Sequence, residues 1–123
     1  MCEISYNGII TVNRGDSFSI DIPLSTGSTL FPVKFALDKG DFVYLGVMEP
    51  NQPFEDAIIR KMFPGDNHIG QDFASFEFTP DDTRCLLPGR YYYQVKISKS
   101  NPHNKVGYNV YTLVDKTQFF ITD

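Results

Sequence analysis

Asp66, His68 and Asp72 share the polar segment PGDNHIGQD, residues 64–72. Two carboxylates and an imidazole are suitable donors for a divalent cation. Their spacing matches no calcium-binding loop, so the segment reads as a solvated loop. Nucleophilic chemistry needs Cys or Ser beside a His that a carboxylate orients, because the nucleophile must lose its proton near pH 7. His68 and His103 both fall in loops predicted to lie far from Cys85. Cys85 is therefore expected to be a small buried hydrophobe of a helical turn. Asp81 and Asp82 have the composition of an acid–base pair, but adjacent residues diverge on a helical turn, and the positive end of the helix dipole accounts for them. Arg14-Gly15-Asp16 spells an integrin-binding tripeptide and reads as a tight turn between two strands. No catalytic, cofactor-binding or metal site is assigned, and the chain is expected not to be an enzyme.

The tyrosines offer a different chemistry, a flat apolar face with a polar tip. In Tyr91-Tyr92-Tyr93, alternation sends Tyr91 and Tyr93 to the core and Tyr92 to the opposite face. Tyr92 is thus the candidate interface residue.

The elements that must position these side chains read as all-β. The 123 residues suit one domain over 1–123, long enough to bury roughly two-thirds of the unfolded chain's surface. With 11 Phe, 7 Tyr and no Trp, and with 8 Pro and 9 Gly as punctuation, the chain favours strands and turns over helices. The net charge of −4 is dispersed along the sequence, which argues against a nucleic-acid groove or an anionic membrane surface and leaves protein as the expected partner. Cys2 and Cys85 are too few for a disulfide framework. The first residues carry no charged and apolar leader, no run approaches a membrane span, and synthesis in a cytoplasm is expected.

The stretch FEFTPDDTRCLLPGRYYYQV, residues 76–95, holds a strand, a capped helical turn near 80–86, a Pro-Gly stop and a second strand. Thr79 is expected to cap the turn and Pro80 suits its first position. Other expected strands are residues 9–12, 18–24 (Phe18, Ile20, Ile22 and Leu24 inward), a weaker run over 30–37, 42–48, 57–63 and 73–78. Pro23 marks its strand as an edge or an end. Loops are expected at 25–28, 49–53, 64–72 and 98–105, and Asp115-Lys116 is expected to turn between strands 108–114 and 117–121. The sum is an immunoglobulin-like β-sandwich of about seven to nine antiparallel strands.

Five segments in order, ITVNRGDSFSIDIPL, DFVYLGVM, AIIRKMF, FEFTPDDTRCLLPGRYYYQVKI and VYTLVDKTQFFIT, carry a resemblance. The chain resembles a family of small proteins from phages and prophages of low-GC Gram-positive bacteria. These share an I-x-V-x-R-G-D-x-F opening, an I-R-K-x-F middle, a T-P-x-D-T-x-x-L-x-P-G-x-Y corner and a V-Y-T ending. The resemblance implies an immunoglobulin-like sandwich in a tail, baseplate or head-decoration structure, hence a virion component without enzymatic activity. Such a module would contact copies of itself, as a homo-oligomer, or neighbouring particle proteins. The alternative is a carbohydrate-binding or adhesin-like module working through exposed aromatics such as Tyr92.

Overall fold

Tyr91, Tyr93, Val95 and Ile97 are buried and alternate with partly exposed Tyr92, Gln94, Lys96 and Ser98, so the longest apolar-polar alternation in the chain builds its central strand. The structure, a computed structural model, describes residues 2–5, 7–27 and 32–123. Its strands are β1 (Cys2–Ile4), β2 (Ile10–Asn13), β3 (Phe18–Pro23), β4 (Ser25–Gly27), β5 (Pro32–Lys34), β6 (Phe42–Met48), β7 (Ile59–Pro64), β8 (Phe73–Phe78), β9 (Gly89–Ser100) and β10 (Tyr108–Thr122). A short helix, α1 (Pro80–Arg84), joins β8 to β9, and a 3-10 turn covers Phe54–Asp56.

The large sheet runs β1-β2-β10-β9-β6-β7, and β3 pairs with β8 to form the second layer. Setting β3 and β8 against β10, β9, β6 and β7 gives the order in which immunoglobulin-type sandwiches oppose their B and E strands to G, F, C and C′. The inward residues of both layers meet in one cluster that includes Ile10, Ile20, Val43, Phe76, Val95 and Phe119. Aromatic rings bridge the layers, with Phe78 on Phe119 at 6.2 Å and Phe63 edge-on to Phe76 at 6.4 Å between centroids.

The all-β sandwich is as the sequence predicts, with differences in its strands. Among the described residues there are ten strands, not seven to nine: β1 and β4 are too short to carry a pattern, and the strands expected over 108–114 and 117–121 are one. Residues 25–27, expected as a loop, pair with β5 as β4, while Ser28 and the first two residues of the expected 30–37 run lie outside the described residues. One pair is parallel: β2 runs alongside β10, with Ile10 opposite Phe119 and Val12 opposite Ile121. The chain leaves β2 at the Arg14-Gly15-Asp16 turn and crosses to the other layer as β3, so β2 is free to flank the last strand.

The expected Asp115-Lys116 turn is not a turn. Residues 108–122 form one strand whose register against β9 shifts between Thr112 and Val114 and again between Val114 and Thr117. Both halves find the same neighbour, so the extra residues are absorbed as a bulge and the chain never reverses. Pro23 sits at the end of β3, opposite Phe73, where no further strand needs its missing N–H.

Candidate functional site: the outer face of the large sheet

The β8–β9 corner is fixed by the side chains of Lys61, Thr79, Asp82 and Tyr91. The Asp82 carboxylate accepts the N–H of Thr79 at 2.8 Å and receives Lys61 Nζ at 2.7 Å. Thr79 at the cap and Asp82 at the third helical position form a capping box, as expected of Thr79, and the Thr79 hydroxyl donates at 3.4 Å to the same Asp82 oxygen. Burial of Asp82 works to raise its pKa, but the hydrogen bonds from Lys61 and Thr79 and the Lys61 charge outweigh it and hold the carboxyl below its ordinary value. Tyr91 donates its hydroxyl to the carbonyl of Leu87 at 2.7 Å, the tyrosine corner of immunoglobulin-type sandwiches.

Thr83 is the buried residue of α1, and its hydroxyl oxygen accepts the Gly15 N–H at 2.8 Å. Arg14 pairs with Asp123 at 2.6 Å and donates to the Leu86 carbonyl at 3.4 Å, and Gly15 has a φ of 81°. The Arg14-Gly15-Asp16 tripeptide is a turn docked on the corner, as expected.

Cys85 corrects an expectation. It is exposed, not buried, because Thr83 takes the inward position of the short helix and Cys85 caps its C-terminus. Cys2 and Cys85 are both free thiols. The loop residues do not converge either: Asp66 accepts the Gly40 N–H at 2.7 Å, His68 stacks on Phe63 at 4.2 Å, and Asp72 is engaged through its carbonyl by the Leu24 N–H. Among the described residues no three His, Cys, Asp or Glu side chains gather as metal ligands would.

A surface suited to recognition emerges on the outer side of the large sheet. Register places Tyr44 opposite Lys96 and Met62, Phe42 opposite Ser98, and Val110 opposite Ser98, so these side chains share one face. Met62, Val110 and Tyr108 are about half exposed, at 55%, 53% and 47%. Phe42 and Tyr44 stack at 6.2 Å between centroids as a ledge along β6. Across it lies Phe54, which sits on Gly46: a Cβ there would meet the Phe54 ring at 2.9 Å and Ala57 at 3.0 Å.

The Phe54–Tyr44 ridge divides the face into two open hollows of about 530 Å³ each. On the β7 side the walls are mainly apolar, with Gly46, Ala57 and Met62, and Glu55, Arg60 and Lys61 also line it. On the β10 side they are mixed, with Phe42, Lys96, Ser98, Ser100 and Tyr108. Lys96 holds its ammonium 5.0 Å from the Phe54 ring centroid.

Tyr92 lies on this same face, half-buried, opposite Met48 and Gln118. Arg90 stands 6.0 Å over its ring, and the two line a smaller hollow with Lys116 and with Asn51, whose φ is 71°. Tyr92 is therefore placed at one end of the face, while its most exposed aromatic and apolar residues lie towards the other.

The turn beside the mixed hollow is held by a buried carboxylate. Asp41 is 1% exposed, accepts the N–H groups of Asp38 and Ser100 at 2.8 Å each, and pairs with Lys99. Burial of Lys99 works to lower its pKa, but its hydrogen bonds to Asp41 and Asp38 and their charges prevail and raise it. Gly65 closes over this turn so tightly that a Cβ would lie 2.6 Å from the Asp38 carbonyl oxygen.

The parts of the face that sequence reasoning missed are Phe54 and Lys96. Gly46 was the available signal, since a glycine inside a well-formed strand marks a close approach by something else. Among the described residues no helix is long and apolar enough to cross a membrane. Neither the protein-family models nor the curated proteins compared with this chain match it.

Proposed function

We propose that this protein is a non-enzymatic structural and interaction module of a phage or prophage particle, a part of its tail, baseplate or head decoration. The single observation that carries the contact role is the apolar half of the outer face, where Tyr44 and Met62 flank a hollow at Gly46. A finished sandwich that leaves contiguous apolar surface in water presents it for contact. The particle assignment is supported by the ordered motifs that resemble phage proteins, and the partner is a second copy or a neighbouring particle protein. Peptide mass spectrometry of particles purified from a strain that carries the gene tests this. The chain is expected in stoichiometric amount with the tail or head proteins, and its absence from intact particles overturns the reading.

A second reading, a carbohydrate-binding or adhesin-like module, is favoured by the mixed hollow across the ridge. There, aromatic rings and hydroxyls line one concavity, the combination that sugar recognition uses.

A further inference from the structure

The lysine ammonium groups of this molecule meet different partners: Lys116 donates to the Gln52 carbonyl at 2.6 Å, and Lys61 lies 5.2 Å from the Phe78 ring centroid as well as beside a carboxylate. Lys61 and Lys99 each meet a carboxylate, Asp82 at 2.7 Å and Asp38 at 3.1 Å. Lys96 meets the Phe54 ring, which holds the half-buried side chain on the sheet while the charge borders the mixed hollow. A cation oriented by a ring can still accept an anion, because cation–π contact adds nothing that neutralises it.

The rest of that hollow is built for a ring-shaped polar molecule. Tyr44 and Phe42 form its ledge on β6, Tyr108 faces them from β10, and the hydroxyls of Ser98 and Ser100 lie between. Flat ring faces suit the C–H face of a pyranose, and serine hydroxyls donate to and accept from sugar hydroxyls. An ammonium at the edge of the same space complements a negative substituent. The Asp41–Lys99 pair fixes the Ser100 end of the site, and Phe54 is seated on Gly46, so the walls are set before any ligand arrives.

We infer that the hollow between β6 and β10 binds an anionic glycan unit, a pyranose bearing a carboxylate or phosphate, with Lys96 contacting the negative group and Tyr44 and Tyr108 the sugar face. This deepens the carbohydrate reading and rests on it; it does not depend on the particle reading. A sandwich that packs one apolar hollow against protein and leaves the mixed one open can serve both roles.

Amide chemical-shift titration of the isotope-labelled full chain tests it with three probes: trigalacturonate, its fully methyl-esterified form, and glucose 6-phosphate. Saturable shifts are expected at Gly40, Ser98, Ser100 and Gly107 with the two anionic probes. Lys96→Met is expected to weaken trigalacturonate at least ten-fold and leave the ester unchanged, whereas Tyr44→Ala weakens both forms. Arg90→Met, at the other end of β9, weakens neither, and the dispersion of the amide spectrum confirms that each variant is folded. If the ester binds as well as the acid and Lys96→Met changes nothing, the anionic inference fails while the carbohydrate reading stands. If no probe shifts these amides, both fail. If hexaglutamate shifts them as strongly as trigalacturonate, the site reads acidic peptide and the glycan inference is overturned.

Discussion

β9 shows two faces with opposite fates. Inward, Tyr93, Val95 and Ile97 are at most 2% exposed and belong to the core, whereas outward Tyr92, Gln94, Lys96 and Ser98 meet the neighbouring strands, the 49–56 segment that covers the sheet and open hollows. Each inward side chain is surrounded by residues from both layers, so its role is packing and its removal leaves a void. Each outward side chain has its neighbours on its own sheet or on the turn that covers it, outside the space between the layers, so its removal leaves the core untouched. The difference separates stability from recognition within a single strand. It also implies that changes on the two faces should have opposite signatures, and this can be broken experimentally.

The largest expected effect is on the inner face. Phe119, fully buried against Phe78 and Tyr93, should cost about 3–5 kcal/mol of unfolding free energy when changed to Ala, read from the denaturation midpoint. A loss under about 1 kcal/mol would mean that the two layers are not packed as described. Next comes Asp41→Ala, which strands the N–H groups of Asp38 and Ser100 and leaves Lys99 without its buried partner. It should cost about 3 kcal/mol in the same measurement, since two N–H groups lose their buried acceptor while Lys99 keeps only Asp38 as a carboxylate partner.

Tyr91→Phe removes only the hydroxyl that closes the corner on Leu87 and should cost about 1 kcal/mol. On the outer face, Tyr44→Ala should stay within about 0.5 kcal/mol of the parent in stability. If it unfolds the protein, the claim that the two faces divide the labour is broken.

The smallest effects are in pH. Asp82 has a lowered folded pKa, so its contribution is present above the ordinary carboxylate value and is lost as pH falls through the folded one. Lys99 has a raised folded pKa, so its contribution is present below the ordinary lysine value of 10.5 and is lost as pH rises through the folded one. Burial likewise raises Tyr93, which adds to the alkaline loss. Lys61→Met should flatten the acid limb and Lys99→Met the alkaline limb of a stability–pH curve; unchanged limbs would remove those pairs from the account.

Much of the inner face was legible in the sequence. Strands 42–48 and 73–78 fall where alternation put them, Phe18 to Leu24 point inward in the expected pattern, and α1 starts at Pro80. Local rules suffice there, because a period of two or a proline at the first helical position is written in adjacent residues. What was not legible depends on distant partners. The Asp115-Lys116 bulge looks like a turn until β9 is seen pairing with both sides of it, and Cys85 looks buried until Thr83 is seen to take the inward place. The outer face was the least legible part. Tyr92 was the residue that alternation singled out, yet the hollows arise from Phe54 folding back over Gly46 and from β10 standing beside β9, contacts between segments far apart in sequence.

The central claim is that the apolar half of the outer face is a contact surface that stability does not need. Light scattering across a dilution series, on the parent and on Met62→Asp in parallel, tests it most directly. The account predicts a defined oligomer for the parent that dissociates on dilution, and a folded monomer for Met62→Asp at every concentration. A variant that keeps the parent's oligomeric mass, or a parent that is monomeric at every concentration, would contradict it.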